Sequence, residues 1–138
     1  VYDTNHRSVY LMVQRNRRHP FLALFDAADP NLSVASRQPT TTPTQALFLM
    51  NSPFVHEQAG SFANRINNQP GDDLAKIKWA FEMAHGKIPE QAVIDNAVAF
   101  LSMYREKLGS DNHQESGVAA WSALSRVLFT SNSFLFVD

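Results

Sequence analysis

Arg15, Arg17, Arg18 and His19 fall within five consecutive residues, with Arg7 and Arg37 nearby in the sequence. Guanidinium groups are planar forks of donors that grip phosphate, sulfate or carboxylate through paired hydrogen bonds. This cluster is therefore the first candidate for an anion- or partner-binding site. In an enzyme, His19 or Asp26 would be the candidate general acid or base, since a histidine titrates near neutral pH. The competing expectation is structural. Asp3, Asp26 and Asp29 are the acids of the first 37 residues. Arg–Asp pairs would pin an irregular segment in place and leave no open site. Nucleic acid is not expected. The net charge is -1, and aromatic residues are poorly interleaved with the arginines for base stacking.

Other motifs fail on spacing. His56-Glu57 begins an H-E-x-x-H zinc helix, but Gly60 stands where the second histidine is needed. Asp29 to Ser33 imitates the opening ligands of a calcium loop. Val34 occupies its glycine position and Thr40 its closing glutamate. An Asx-turn at Asp29 is the simpler expectation. There is no cysteine, which excludes disulfides, thiolate chemistry and covalent c-type haem attachment in this chain. No nucleophile elbow, dinucleotide fingerprint or phosphate loop is present. No metal and no cofactor are expected. His85 reads as a histidine in the last turn of its helix, where a cationic side chain suits the dipole. Trp121 falls on an apolar stripe and is expected in the core. Trp79 falls off its stripe and is the candidate surface aromatic, with a second buried face as the equal alternative.

The elements that must position these residues are mostly helical. A chain of 138 residues, 44% hydrophobic, suits one domain with a sizeable core. It begins at Val1, and is expected to be part of something longer. Residues 1–42 read as an extended and looped, arginine-rich lobe with one short helix, "PFLALFD". "SVYLMV" reads as extended because it is β-branched and aromatic. Residues 43–138 read as a helical body. Stripes at helical spacing are Val55, Ala59, Phe62 and Ile66; then Leu74, Ile77, Phe81 and Ala84; then Ile94, Ala97, Leu101, Tyr104 and Leu108; then Trp121, Leu124 and Leu128. Gly86 supplies a stop. "FLFVD" is expected to be extended. The expected fold is mainly α, with five to six helices in an irregular orthogonal bundle. No apolar run is long enough to span a membrane.

"RQPTTTPTQALFLMNSPF" reads as a structural passage. Thr42 and Gln45 have capping-box spacing around Pro43. The Thr42 hydroxyl is expected to accept from the Gln45 N–H, and Gln45 to reach back to the Thr42 N–H. Ser52-Pro53 repeats the cap-and-proline start, and Asn51 is expected to close the intervening helix.

Taken together, "RSVYLMVQRNRRHPFLALFDAADP", "SRQPTTTPTQALFLMNSPFV", "WAFEMAHGKIPEQAVIDNAVAFL" and "ALSRVLFTSNSFLFVD" resemble the planctomycete PSD-type domain of unknown function, domain of unknown function 1553. The resemblance runs from about Arg7 to Asp138. Its matching polar and aromatic positions include Arg7, Tyr10, Arg15, Asp26, Arg37, Thr42, Gln45 and Asn51. It implies an exported parent with cytochrome-c-like modules, haem lying on a separate module, and a periplasmic or cell-envelope location. It implies no catalytic residue. A docking domain for the parent's other modules or for envelope components is the leading expectation. An acidic or sulfated polysaccharide module, with Arg15, Arg17, Arg18, His19 and Arg37 as clamp and Trp79 as stacking platform, is the alternative. One departure from the resemblance is the start of "PEQAVIDNAV", which lacks a Thr or Ser cap and should be weak by about 1 kcal/mol.

Overall fold

The computed structural model describes residues 7–33, 35, 36, 40–109 and 113–136. Arg37 and Asp3 lie outside them. The chain is mainly α, as the stripes require. Among the described residues there is no strand, only an isolated bridge between Gln14 and Arg17. The helices are α1 (Pro20–Leu24), α2 (Pro43–Asn51), α3 (Pro53–Asn67), α4 (Asp73–His85), α5 (Gln91–Leu108), α6 (His113–Phe129) and α7 (Asn132–Leu135). Two compact units, Val1–Leu49 and Met50–Asp138, divide within α2. Among the described residues no helix is long and apolar enough to cross a membrane.

In the first unit, Ser8–Tyr10 forms a 3-10 turn where the residue types suggest an extended segment, while Leu11 after it is extended. The Tyr10 N–H donates to the Arg7 carbonyl at 2.9 Å and the Leu11 N–H to Ser8 at 3.2 Å. β-Branched residues favour strands by packing on a sheet, and no described strand lies beside them. Helix α1 opens on Pro20 at its first position, where proline's missing N–H costs nothing. Phe21 meets Phe25 at 4.9 Å and Phe48 of α2 at 5.5 Å, so three rings form this unit's apolar centre.

In the second unit, α6 packs most extensively on α3 and then on α5, while α4 lies against α5, α3 and α6. The core joins Phe62, Ala63 and Ile66 of α3, Ile77 and Ala80 of α4, Ala97 and Leu101 of α5, and Ala120, Trp121, Leu124 and Leu128 of α6. These are largely the predicted stripes. Burying each large aliphatic side chain is worth about 1.5–3 kcal/mol. Ala63 and Ala120, fully buried, leave little bulk between the helices that carry them. Leu74 and Leu108, expected on their stripes, are exposed. They stand at the first turn of α4 and the last of α5, at the helix ends.

The helix ends follow local chemistry unevenly. Asp72 caps α4 by accepting from the Ala75 N–H at 2.9 Å, and Gly86 stops it with φ 69°, a left-handed conformation suited to glycine. Helix α5 begins at Gln91 after Glu90, with no side-chain cap, so the weak start is present and Pro89 lies before the helix. Ser52 occupies the cap position of α3, but its side chain makes no capping bond. The chain end differs from the extended expectation. Asn132–Leu135 is a short helix and Phe136 after it is extended, while Val137 and Asp138 lie outside the described residues. The Ser131 hydroxyl donates to the Leu128 carbonyl at 2.7 Å and lies 3.1 Å from Nε2 of His85, tying the end of α4 to the start of α7.

Candidate functional site

The arginine cluster sits on a tight turn. The Arg17 N–H donates to the Gln14 carbonyl, leaving Arg15 and Asn16 at the tip. Nδ2 of Asn31 donates to the Arg15 carbonyl at 3.0 Å. The Asn31 N–H in turn donates to Oδ1 of Asp29 at 2.9 Å, which is the Asx-turn expected there. Arg18 forms an ion pair with Asp29. The Asn31 N–H, and then the charge and hydrogen bonds of Arg18, hold the Asp29 carboxyl below its ordinary range. Arg18 is thus a structural arginine. Arg7, Arg15 and Arg17 make no ion pair with a described residue.

Among the described residues, Asp26 pairs with none of the arginines. It adopts a left-handed backbone, φ 55°, which aspartate tolerates better than most residues. Its carboxylate accepts from the Thr40 N–H at 2.6 Å and the Thr40 hydroxyl at 2.8 Å. Those two bonds, the backbone one foremost, hold it below the usual carboxylate range. Asp26 closes a loop and carries its charge into two fixed donors, a geometry unlike that of a general acid.

His19 precedes α1, with Phe21 edge-on at 6.5 Å. It lines a hollow of ≈40 Å³ together with Gln14, Arg17, Arg18 and Leu22. A buried water needs about 10–15 Å³ on this measure, so the hollow suits water or a small ion and not a sugar ring.

Thr42 and Gln45 complete half of the expected capping box. Oε1 of Gln45 accepts from the Thr42 N–H at 3.1 Å. The Thr42 hydroxyl instead pairs with that of Thr44 at 2.9 Å, and the Gln45 N–H donates to the Thr42 carbonyl. Gln45 is buried, and its Nε2 donates to the Leu24 carbonyl at 2.9 Å. Asn51 is the last residue of α2.

Four exposed apolar residues of the first unit lie close before Arg15 in the sequence. Val9 is 79% and Tyr10 74% exposed, and Met12 and Val13 are similarly bare. Trp79, by contrast, is half-buried. Its ring stacks on Phe62 at 5.9 Å, and the Arg65 guanidinium covers it at 5.8 Å. A second, charged cleft, with Asp73, Lys76, Arg105 and Glu106 in its wall, lies in the second unit. Sequence reasoning missed it, because these residues are far apart and each has an ordinary local role. Among the described residues no three His, Asp or Glu side chains converge as a metal-binding set.

Asp26, Asp29 and Asp73 are all held below the ordinary carboxylate range. Their contribution to stability is complete above an unfolded value of about 4 and is lost as pH falls through their lowered values. The thermal midpoint should therefore drop below about pH 4. Asp26→Asn, which keeps an acceptor for Thr40 and tolerates the left-handed backbone, should show a smaller acid loss. Circular-dichroism melts across pH 2–6 measure both; an identical loss in the variant would contradict the assignment.

Residues 2–101 match the family described as "Protein of unknown function (DUF1553)". The match ends within α5, so α6, which supplies Trp121 and much of the core, lies beyond the matched range. No curated protein and no solved structure matches the chain.

Proposed function

We propose, from the premise that this chain belongs to the DUF1553 family of proteins of unknown function, that it is a non-catalytic docking domain and that residues 7–18 are its contact arm. One observation carries this reading: Val9, Tyr10, Met12 and Val13 are exposed close in sequence to arginines that have no described ion-pair partner. Exposed apolar groups in a cluster mark interaction surfaces more than chance would give. Tyrosine, methionine and arginine are the types enriched at the centres of protein interfaces. Residues 7–18 carry Arg7, Arg15, Arg17 and Arg18 and no acid. The fitting partner is thus a protein surface with an apolar patch and an acidic rim. Another module of an exported, cytochrome-c-associated parent, or a cell-envelope protein, would supply it.

The test is calorimetric binding of this chain to the remainder of its parent polypeptide. Tyr10→Ser with Met12→Ser should weaken binding at least tenfold, since interface anchors contribute about 1–2 kcal/mol each. The thermal midpoint should barely move, because both side chains are already in water. Arg15→Gln and Arg17→Gln should mainly flatten the salt dependence. Unchanged affinity in the double variant, or turnover by the chain alone, would overturn the reading. The alternative is an acidic or sulfated polysaccharide as ligand of the same arginines. Retention on a sulfated glycan that Arg15→Gln abolishes and Tyr10→Ser leaves intact would favour it.

A further inference from the structure

The second unit holds a cleft of ≈550 Å³ where α3 and α5 end and α4 and α6 begin. Ligand-binding clefts have volumes of this order. Its charged groups are of two kinds. Arg105 and Asp73 neutralise each other. NH2 donates to Oδ1 at 3.2 Å and NH1 pairs with Oδ2, while the guanidinium lies 5.7 Å over the Trp121 ring. The hydrogen bond from Arg105 foremost, then its charge and the charge of nearby Lys76, keep Asp73 below the usual carboxylate range. This pair joins α4 to α5.

Lys76 and Glu106 are different. Lys76 is half-buried, and its Nζ donates to the Asn67 carbonyl at 2.9 Å. An ammonium has three donors, so two remain for another acceptor. Glu106 is exposed. Neither forms an ion pair with a described residue, and they do not pair with each other. A cation with spare donors and a carboxylate with no described ion-pair partner therefore line one cleft.

Gly117 is an independent indication. It lies inside α6, where glycine costs about 1 kcal/mol relative to alanine. Its φ is not in the left-handed range, and a Cβ there would meet nothing within 4 Å. The fold does not require glycine at this position. Open space alone marks nothing, because Gly60 of α3 has it too. Gly117, however, lines the cleft that Lys76 and Glu106 share. Glycine's other use is to let a ligand approach the backbone closely.

We propose that this cleft binds a small zwitterion of the α-amino-acid class, as the free amino acid or a dipeptide. The ligand carboxylate meets Lys76, its ammonium meets Glu106, and its body lies over Gly117. Among the described residues, the four charged side chains of the wall sum to zero, two cations against two carboxylates. A ligand with both charges is matched at both ends, and an ion of one sign leaves one end unmatched.

Saturation-transfer NMR on the whole chain tests this with an amino-acid mixture and a dipeptide mixture. N-acetyl amino acids serve as anion-only probes and amino-acid amides as cation-only probes. Zwitterions should bind at least tenfold more tightly than either single-charge form. Glu106→Gln should remove that advantage over the N-acetyl form without changing the thermal midpoint. Gly117→Leu should abolish binding while the midpoint holds or rises, since leucine is the better helix former. Equal binding of the N-acetyl forms would make this a plain anion site and overturn the proposal. Absence of binding by every probe, or undiminished binding in Gly117→Leu, would overturn it as well.

Discussion

Trp121→Ala is expected to destabilise the second unit by about 4 kcal/mol, the range measured for large aromatic truncations in packed cores. Trp121 is 1% exposed and shares a core with Ile66, Ile77, Leu101 and Leu128. Its ring also supports the Arg105 guanidinium that pairs with Asp73. Truncation therefore removes apolar burial and leaves a void, and it also strips the bed beneath a half-buried ion pair. Collapse is a poor remedy. The helix carrying Trp121 packs on α3 and α5, and Ala63 and Ala120, fully buried in the same core, offer no spare bulk to fill the space. Domains of this kind are stable by about 5–15 kcal/mol in all, so the variant should unfold at much lower urea. Urea unfolding followed by far-UV circular dichroism measures the shift. Val127→Ala on the same helix, exposed to water, should stay within about 0.5 kcal/mol. A Trp121→Ala loss below about 1 kcal/mol would mean that the core is not arranged as described.

The residues that carry the core were legible because helical burial repeats every 3.6 residues. Val55, Ala59, Phe62 and Ile66 are all buried, as are Trp121, Leu124 and Leu128. Gly86 was legible for a local reason, since a left-handed stop needs no tertiary partner. Periodicity left open what tertiary context decides, a partner surface or a second buried face for Trp79. Trp79 lies off its stripe yet is half-buried, because Phe62 of α3 and Arg65 flank it. The resemblance named a family that the comparison bears out, but no chemistry came with it. Arginine density was legible at Arg15, Arg17 and Arg18. The partition between Arg18, paired to Asp29, and the other two depends on where a loop 11 residues later folds back. Asp26 could not be assigned to Thr40 from sequence, since its bonds cross 14 positions and depend on a left-handed backbone. The cleft was hardest to read. Asp73 looks like a first-turn acid and Arg105 like a last-turn base, each sufficient in its own helix. Gly117 gave no signal by itself, because Gly60 is a helix-interior glycine with equally open space.

Gln45→Leu is expected to loosen the first unit by about 2 kcal/mol. Gln45 is the one residue of α2 that is buried, 9% exposed. Its oxygen takes the Thr42 N–H and its nitrogen serves the Leu24 carbonyl. Both partners are at helix ends, where no intrahelical bond replaces the loss. Leucine restores the volume and neither bond. Each buried group left unmatched costs about 1–3 kcal/mol, and water recovers part of that because Thr42 and Leu24 are only half-buried. Hydrogen exchange of the α1 and α2 amides should accelerate about 30-fold, the equivalent of 2 kcal/mol. Gln45→Glu separates this account from a loss of packing. The carboxylate still accepts from Thr42 but gives Leu24 no donor, and it sits close enough to Asp26 for Gln45 to help hold that carboxyl ionised. Two neighbouring carboxylates raise the affinity of the new one for a proton. A folded value raised above the unfolded one contributes stability below about pH 4, lost as pH rises. The difference between Gln45→Glu and the natural chain should therefore widen from pH 4.5 to 7. A constant difference across that range would show that Gln45 acts by shape and not by its hydrogen bonds.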